Sequence, residues 1–397
     1  MTDSPAPTPT RLPAVDWTRR ADLAQLAAAF GPGNLRWVGG AVRDTLLGLE
    51  VADIDAATLL LPPQVMARLE DAVIRAVPTG LDHGTITAVL AGGPVEITTL
   101  RKDVATDGRR ATIAFASDWR EDAARRDFTI NALYADPETL EVHDYFGGLN
   151  DLAARCVRFI GDAEQRIRED HLRILRYYRF QARFGAGLDE AAEEACARLA
   201  PMLKGLSRER VATELLALLA LPDPGPTLAR MLAHGVLPVV LPEAGADELA
   251  ALMRLVAAER SAGMAPRPLR RLAALLPAEP ALAEQVAARL RLSTAQKKRL
   301  ATLAAREALF AEPRALAYRI GHEEAVDWQL LTGGDIAPLA GWRVPEFPLK
   351  GGEIVARGVA AGPEVARILK AVEQRWVEEG FPPRERVEAL LAAELER

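Results

Sequence analysis

The spacing of hydrophobic and polar positions changes near residue 140. Before it the pattern is mixed. "LRWVGG" (residues 35–40) and "VADIDAAT" (51–58) read as strands, with "AVRDTLLG" (41–48) as a helix between them. "TITAVLAGG" followed by "PVEITTLR" predicts a hairpin turning at Gly92 and Gly93. "RKDVATDGRRATIAFASDW" (101–119) holds no steady period and many charges, which predicts a mobile loop, and "EDAARRDFTINALYAD" (121–136) turns helical. From about residue 150 the periodicity is almost entirely helical, broken by Pro/Gly stretches such as "LPDPGPT", "AHGVLP" and "EFPLKGG". No solenoid-type repeat is visible. The expectation is an α+β head with a small mixed sheet, followed by an elongated all-α body. The boundaries expected are a disordered lead-in over 1–22, a head over 23–140, a helical neck over 141–205, and a helical body and tail over 206–397.

Composition narrows the class. The chain has 397 residues, 49% of them hydrophobic, enough for real cores. No apolar run approaches the roughly 18 to 20 residues that cross a bilayer, so no membrane association is expected. The opening "MTDSPAPTPTRLPAVDW" is polar and Pro/Thr-rich, without the apolar core of a signal sequence. Two cysteines, Cys156 and Cys196, offer neither a disulfide framework nor metal-site spacing, which fits a reducing cytoplasm. The formal net charge is -6, weak evidence against a nucleic-acid partner. That average hides residues 155–183, where eight arginines face four acids. Segregated positive charge of this kind is what a polyanion would meet.

Asp53 and Asp55 flank one apolar residue in an otherwise apolar run. Residues i and i+2 of a strand share a face, roughly 7 Å apart along the chain. Isolated, such a pair is more often two solvated turn aspartates. Inside a buried strand, however, repelling carboxylates need a cation, and oxygen ligands suit Mg²⁺. Glu96, on another expected strand with Thr98 on the same face, supplies a third acid. Three carboxylates on neighbouring strands can hold two metals, one activating a hydroxyl and one neutralising a triphosphate. Gly39 and Gly40 stand where a strand gives way to a helix, a place where backbone amides bind phosphate, and Arg43 lies one turn further on. A glycine pair alone is weak evidence, since turns use glycine routinely.

Together these residues resemble the class II CCA tRNA nucleotidyltransferases and bacterial poly(A) polymerases, within the polymerase-β-like nucleotidyltransferase superfamily. The stretches that carry the resemblance are "VGGAVRDTLLG", "DIDAAT", "DHGTITAVL", "VEITTLR", "RRDFTINALYAD", "DYFGGLNDL", "REDHLRILRYYRF" and "LSRERVATELLALL". They cover residues 37–219 nearly end to end. The resemblance implies a catalytic head, a nucleotide-reading neck, and a body that grips the acceptor and TΨC arms of tRNA by shape. It makes Asp53 and Asp55 the ligands of two Mg²⁺ ions, with Glu96 helping to activate the RNA 3′-hydroxyl.

"RRDFTINAL" resembles the family's sugar-holding motif: Asp127 would accept from a ribose hydroxyl and Arg126 would pair with phosphate. A salt bridge between Asp127 and a nearby arginine is an equal reading of the residues themselves. On a helical wheel, Glu169, Asp170, Arg173, Arg176, Arg179 and Arg183 fall within about half the circumference. Ile174, Leu175, Tyr178 and Ala182 lie opposite, and Leu172 and Phe180 intrude on the charged arc. A solvated face laced with surface ion pairs would look similar.

The resemblance makes Glu169, Asp170 and Arg173 the base-reading set, with Arg176 and Arg179 reaching toward the triphosphate. Donor and acceptor counting supports that logic. Asp170 can only accept, which suits the exocyclic amine of cytosine or adenine. Arg173 can only donate, which suits the adjoining ring nitrogen. Uracil and guanine present a carbonyl oxygen and an N–H instead, so such an edge admits C and A. Arg101, Lys102, Arg109 and Arg110 belong to a loop that in the family assists the step from C to A addition; a solvated linker is as good a reading of any one of them.

The function implied is template-independent addition of C, C and A to tRNA 3′ ends from CTP and ATP. Poly(A) polymerase activity is the first alternative. The basic G-R/K-R/K-F element associated with that subgroup is absent, residues 72–85 reading "AVIRAVPTGLDHGT". An enzyme adding only CC or only A is a narrower variant, made less favourable by the basic loop. A non-catalytic RNA-binding protein is opposed by the intact acids. A small-molecule nucleotidyltransferase leaves the helical body unexplained. The sequence also lacks a His-Asp phosphohydrolase signature, so no attached phosphatase is expected. "LSRERVATELLALL" begins with Ser207 as the N-cap of a helix. "LKGGEIVARGVAAGPEVARILKAVEQRW" offers glycine loops before a helix, where amides could meet a phosphate, although a plain connection fits better.

Overall fold

The computed structural model describes residues 10–81, 84–107, 110–306 and 312–396, with the backbone alone over 102–107 and 110–113. It divides into two compact units, Met1–Glu214 with Pro226–Val240, and Leu215–Gly225 with Leu241–Arg397.

The first unit is built on a seven-stranded sheet in the order β3-β4-β5-β2-β1-β8-β9. Its strands are β1 (Leu35–Val38), β2 (Ile54–Thr58), β3 (Arg75–Gly80), β4 (Thr85–Leu90), β5 (Gly93–Thr99), β8 (Leu133–Ala135) and β9 (Val142–Asp144). β2 runs parallel to β5 and the other neighbours are antiparallel, so the sheet is mixed as expected. Strand β5 shows how the pleat sorts residues: Val95, Ile97 and Thr99 are buried, whereas Glu96 and Thr98 face the other way. Val38, Ala57, Leu100, Trp119, Tyr134 and Ile160 form a core cluster on this sheet. Helices α1 (Ala21–Phe30), α2 (Gly40–Leu46), α3 (Pro62–Asp71) and α4 (Trp119–Ala124) belong to this head, followed by α5 (Gly148–Ala153), α6 (Ala163–Glu169), α7 (Arg173–Phe184) and α8 (Glu190–Leu199). α9 (Arg208–Leu219) comes next, and Ser207 accepts from the Arg210 backbone N–H, at a long 3.4 Å.

Four expectations need correction. Residues 10–22 are not a disordered lead-in: Leu12 is buried, its backbone N–H donates to Leu140, and Trp17 packs edge-on against Trp37. The Trp17 indole also donates to Thr45 Oγ1 at 2.8 Å. Residues 101–107 and 110–115 are the paired antiparallel strands β6 (Arg101–Asp107) and β7 (Arg110–Phe115) rather than parts of a loop without regular structure. Arg109, and the side chains of Lys102 and Arg110, lie outside the described residues. Within "EDAARRDFTINALYAD" the α-helix ends at Ala124 and a 3-10 turn covers Thr129–Asn131, but Leu133–Ala135 are not helical, because they pair with β1 and β9 as the buried strand β8. The charged arc drawn from Glu169 to Arg183 is not one helix either. Asp170 is extended (φ -150, ψ 105), so Glu169 closes α6 and Arg173 opens α7.

The second unit is helical: α10 (Gly225–Ala233) and α11 (Leu237–Val240) border it in sequence, and α12 (Ala246–Ser261), α13 (Pro268–Ala274), α14 (Pro280–Arg289), α15 (Thr294–Ala304), α16 (Pro313–Ile320), α17 (His322–Thr332), α18 (Gly351–Val355), α19 (Pro363–Glu378) and α20 (Arg384–Leu395) follow. Its interior holds a charge network rather than apolar side chains alone. Arg270 and Arg271, both buried, donate to the two carboxylate oxygens of Glu259 at 2.7 and 2.8 Å, and Arg270 also reaches Asp327 at 2.8 Å. Trp376, Ile368, Val372 and Leu390 centre a separate apolar cluster in α19 and α20.

Candidate active site

β2 and β5 determine the arrangement of the acids. Their parallel register sets Asp55 directly beside Glu96, and β1 sets Val38 beside Asp55 on the other side. In-register neighbours are about 5 Å apart. Asp55 is half-buried and Glu96 exposed, at a cleft of about 230 Å³ lined by Val38, Asp55, Ala56, Glu96, Thr98, Arg101, Arg125 and Arg126. Burial pushes the Asp55 carboxyl above the ordinary carboxylate range; the Glu96 charge adds to this, Arg126 opposes it, and Asp53 raises it further.

Asp53 itself is exposed and lies one residue before β2 begins. The pleat therefore does not hold it on the Asp55 face as the i,i+2 reading assumed. Among the described residues no group of three or more His, Cys, Asp or Glu side chains is assembled to hold a metal ion. Two of the three acids adjoin in register, and the third lies on irregular backbone where its charge still reaches Asp55.

Gly39 follows β1 with φ +70 and ψ -120, a conformation that L side chains rarely adopt. A Cβ there would lie 3.7 Å from Arg126 Nη1 and from the Asn131 carbonyl oxygen. Space is therefore not what calls for glycine at 39; the positive φ is, at a point where the chain lies beside Arg126 and Asn131. Two features differ from the phosphate-cradle reading. The Gly39 N–H already donates to the Leu133 carbonyl at 3.2 Å. Arg43 is buried, donating to Asp44 at 2.8 Å and to Asn131 Oδ1 at 2.5 Å, and it stacks on Phe184 at 4.5 Å. Its guanidinium is spent on internal partners.

Arg126 lines the cleft while anchored from behind. It donates to Asp122 at 3.1 Å and to the Tyr134 hydroxyl at 3.0 Å. Burial alone would raise Asp122, but the Arg126 and Arg125 charges and the Tyr134 hydroxyl hold it far below the usual range. Asp127 points elsewhere. One oxygen accepts from the Phe128 N–H and Asn131 Nδ2, and the other from Arg176 at 2.7 Å. Burial opposes ionisation of Asp127, and Arg176 and Asn131 outweigh it, so its carboxyl is lowered.

The residues expected to read the base are likewise engaged. Arg173 donates to Glu169 at 2.6 Å and to the carbonyls of Arg166 and Arg125. Asp170 accepts from the Leu172 N–H and from Arg210 at 2.6 Å. Arg176 and Arg179 both face Glu214, at 3.6 and 2.6 Å. The cleft therefore gathers Asp55, Glu96 and Arg126 but not Glu169, Asp170, Arg173, Arg176 or Arg179. Sequence reasoning missed Arg125 on the cleft wall and Asn131, which links Arg43 to Asp127. Asn131 stands four residues after Asp127 in the quoted motif, and that spacing was its only signal.

Comparison with known proteins converges on one family. Residues 35–158 match the model described as "Poly A polymerase head domain". Residues 187–248 match "Probable RNA and SrmB- binding site of polymerase A". Over 383 residues the chain is 35% identical to CCA tRNA nucleotidyltransferase 1, mitochondrial, of Mus musculus, covering 90% of this chain and 87% of the mouse protein. The chain belongs to the family of CCA tRNA nucleotidyltransferases and poly(A) polymerases. Another family member, the CCA-adding enzyme of Streptococcus pyogenes serotype M2, is 42% identical over 188 residues, 47% of this chain and 46% of that protein. The crystal structure of the Bacillus stearothermophilus CCA-adding enzyme in complex with CTP shares 27% identity at a TM-score of 0.76, covering 95% of this chain and 98% of that one. The family resemblance of the short motifs thus extends across the helical body, which the motifs alone did not reach.

Proposed function

We propose that this chain adds C, C and A in order to the 3′ end of tRNA from CTP and ATP, without a nucleic-acid template. The observation that carries the reading is the in-register pairing of Asp55 with Glu96 at a cleft that Arg126 also lines. Asp53 and Asp55 would hold two Mg²⁺ ions. Oxygen-only donors suit that ion, and a divalent cation would relieve both the burial and the neighbouring Glu96 and Asp53 charges that lift Asp55. When bound, the ions lower the pKa of the attacking hydroxyl and neutralise triphosphate charge.

The chain's own residues do the rest. Glu96 helps activate the RNA 3′-hydroxyl, and Arg126, held rigid by Asp122 and Tyr134, pairs with phosphate. Asp127 accepts from the ribose, and Asp170 with Arg173 presents an acceptor–donor edge that cytosine and adenine satisfy and uracil and guanine do not. Exchange of an internal partner for the nucleotide is required of Arg173 and of Asp127, whose oxygens already take four donors, whereas each Asp170 oxygen keeps a lone-pair direction free in this scheme. The names of the mouse and bacterial relatives favour CCA over poly(A) addition, as does the absence of a G-R/K-R/K-F element in residues 72–85. No helix among the described residues is long and apolar enough to cross a membrane. Two buried, unpaired cysteines support a reducing compartment, the cytoplasm in our reading, although the mouse relative is named mitochondrial.

The test offers a tRNA transcript lacking CCA to the protein with all four NTPs and Mg²⁺, then sequences the product ends. C-C-A is the expected outcome. Long A tails would assign poly(A) polymerase activity instead, and CC or A alone a partial enzyme.

A further inference from the structure

Helix α9 carries two charged side chains one turn apart, Arg210 and Glu214, and residues at i and i+4 share a helix face. Each meets a residue of the nucleotide-reading set. Arg210 Nη2 donates to Asp170 Oδ2 at 2.6 Å, while the other Asp170 oxygen accepts the Leu172 N–H at 3.1 Å. Glu214 is buried and takes Arg179 Nε at 2.6 Å and Arg176 Nη1 at 3.6 Å. Arg176 in turn holds the Asp127 carboxylate through Nε and Nη2, at 2.7 and 2.6 Å.

We propose that this face of α9 positions the two selections separately: Arg210 orients the carboxylate that reads the base, and Glu214, through Arg176, orients the carboxylate that reads the sugar. The inference rests on the roles given above to Asp170 and Asp127. With one donor pinning each Asp170 oxygen, each still has an unused lone-pair direction, so Asp170 can take a base amine without a search over rotamers. Glu214 does a different job. Arg176 and Arg179 both lie over the Phe180 ring, at 5.4 and 4.6 Å, and an acid between them offsets their repulsion. Without it Arg176 is pushed from its seat, and Asp127 loses the partner that fixes its outer oxygen. Neither residue touches the cleft, so both are positioning residues.

The experiment measures kcat/KM for CTP, UTP and dCTP on a tRNA transcript lacking CCA, using full-length wild type, Asp170→Ala, Arg210→Gln, Glu214→Gln and Glu214→Asp. For Arg210→Gln the CTP-to-UTP ratio is expected to fall by about tenfold or more while the CTP-to-dCTP ratio holds. For Glu214→Gln the reverse is expected, with Glu214→Asp restoring part of the sugar selection. Thermal midpoints identify any variant that fails to fold, and Glu214→Asp then carries the comparison. If Asp170→Ala keeps the wild-type preference for CTP over UTP, the base-reading assignment itself fails. If Asp170→Ala loses it but Arg210→Gln does not, or if both ratios fall together in either variant, the division of labour on α9 is overturned and the base-reading assignment survives.

Discussion

Single residues already separate positions that build the site from those that act in it. Gly39 builds: its φ of +70 with ψ -120 is costly for any side chain, and Gly39→Ala is expected to lose about 1–3 kcal/mol of stability. A lowered urea midpoint at unchanged slope would register that loss. Asp122 builds as well, buried beneath Arg126 with Arg125 and Tyr134 as further partners. Its folded-state pKa is depressed, so its contribution is complete above the ordinary carboxylate value, about pH 4, and is lost as pH falls toward the folded value. The stability gap between wild type and Asp122→Asn, measured by urea unfolding, is therefore expected to narrow from about pH 5 to about pH 2. A gap that widens on acidification would reverse the sign assigned here. Asp53, Asp55 and Glu96 stood out in the sequence because acids in apolar strands are costly without a purpose. Asp122 and Asn131 did not, since polar residues with internal partners look ordinary until the fold brings those partners in.

At the scale of elements, local pattern located β1, β2, α2 and the β4–β5 hairpin because each is settled by residues adjacent in sequence. It failed where distant pairing decides. Leu133–Ala135 sits in a helix-like stretch, yet becomes a strand because β1 and β9 offer it hydrogen bonds on both edges. The strand pair of β6 and β7 carries too many charges to show a period, but its backbone groups still pair across the ladder. Asp170 ends α6 where a wheel predicted continuity, and that break turns it toward α9. In the helical unit the decisive element contact is polar. Glu259 on α12 neutralises two buried arginines of α13, so Glu259→Ala would leave Arg271 with backbone carbonyls alone and Arg270 with Asp327 as its remaining carboxylate. The expected cost is about 3–5 kcal/mol, read as a large drop in the thermal midpoint of the full chain. A change within error would mean that water replaces the lost carboxylate at little cost.

For the whole molecule, the sequence motifs reach from residue 37 to 219, and the helical remainder offered only periodicity. That part has few charged or glycine positions whose chemistry is distinctive, so its helices leave little local trace. Its membership became visible through identity spread over 90% of the chain. Nucleotide addition depends in this reading on the acids beside the cleft, and Asp55 is the one held both by register and by burial. The most direct measurement is single-turnover addition of CMP to a tRNA lacking CCA, comparing wild type with Asp55→Ala at saturating CTP and Mg²⁺. The account predicts a rate reduced by about a thousandfold or more, with the variant folded and still binding tRNA. An Asp55→Ala protein that adds cytidine at the wild-type rate would contradict it.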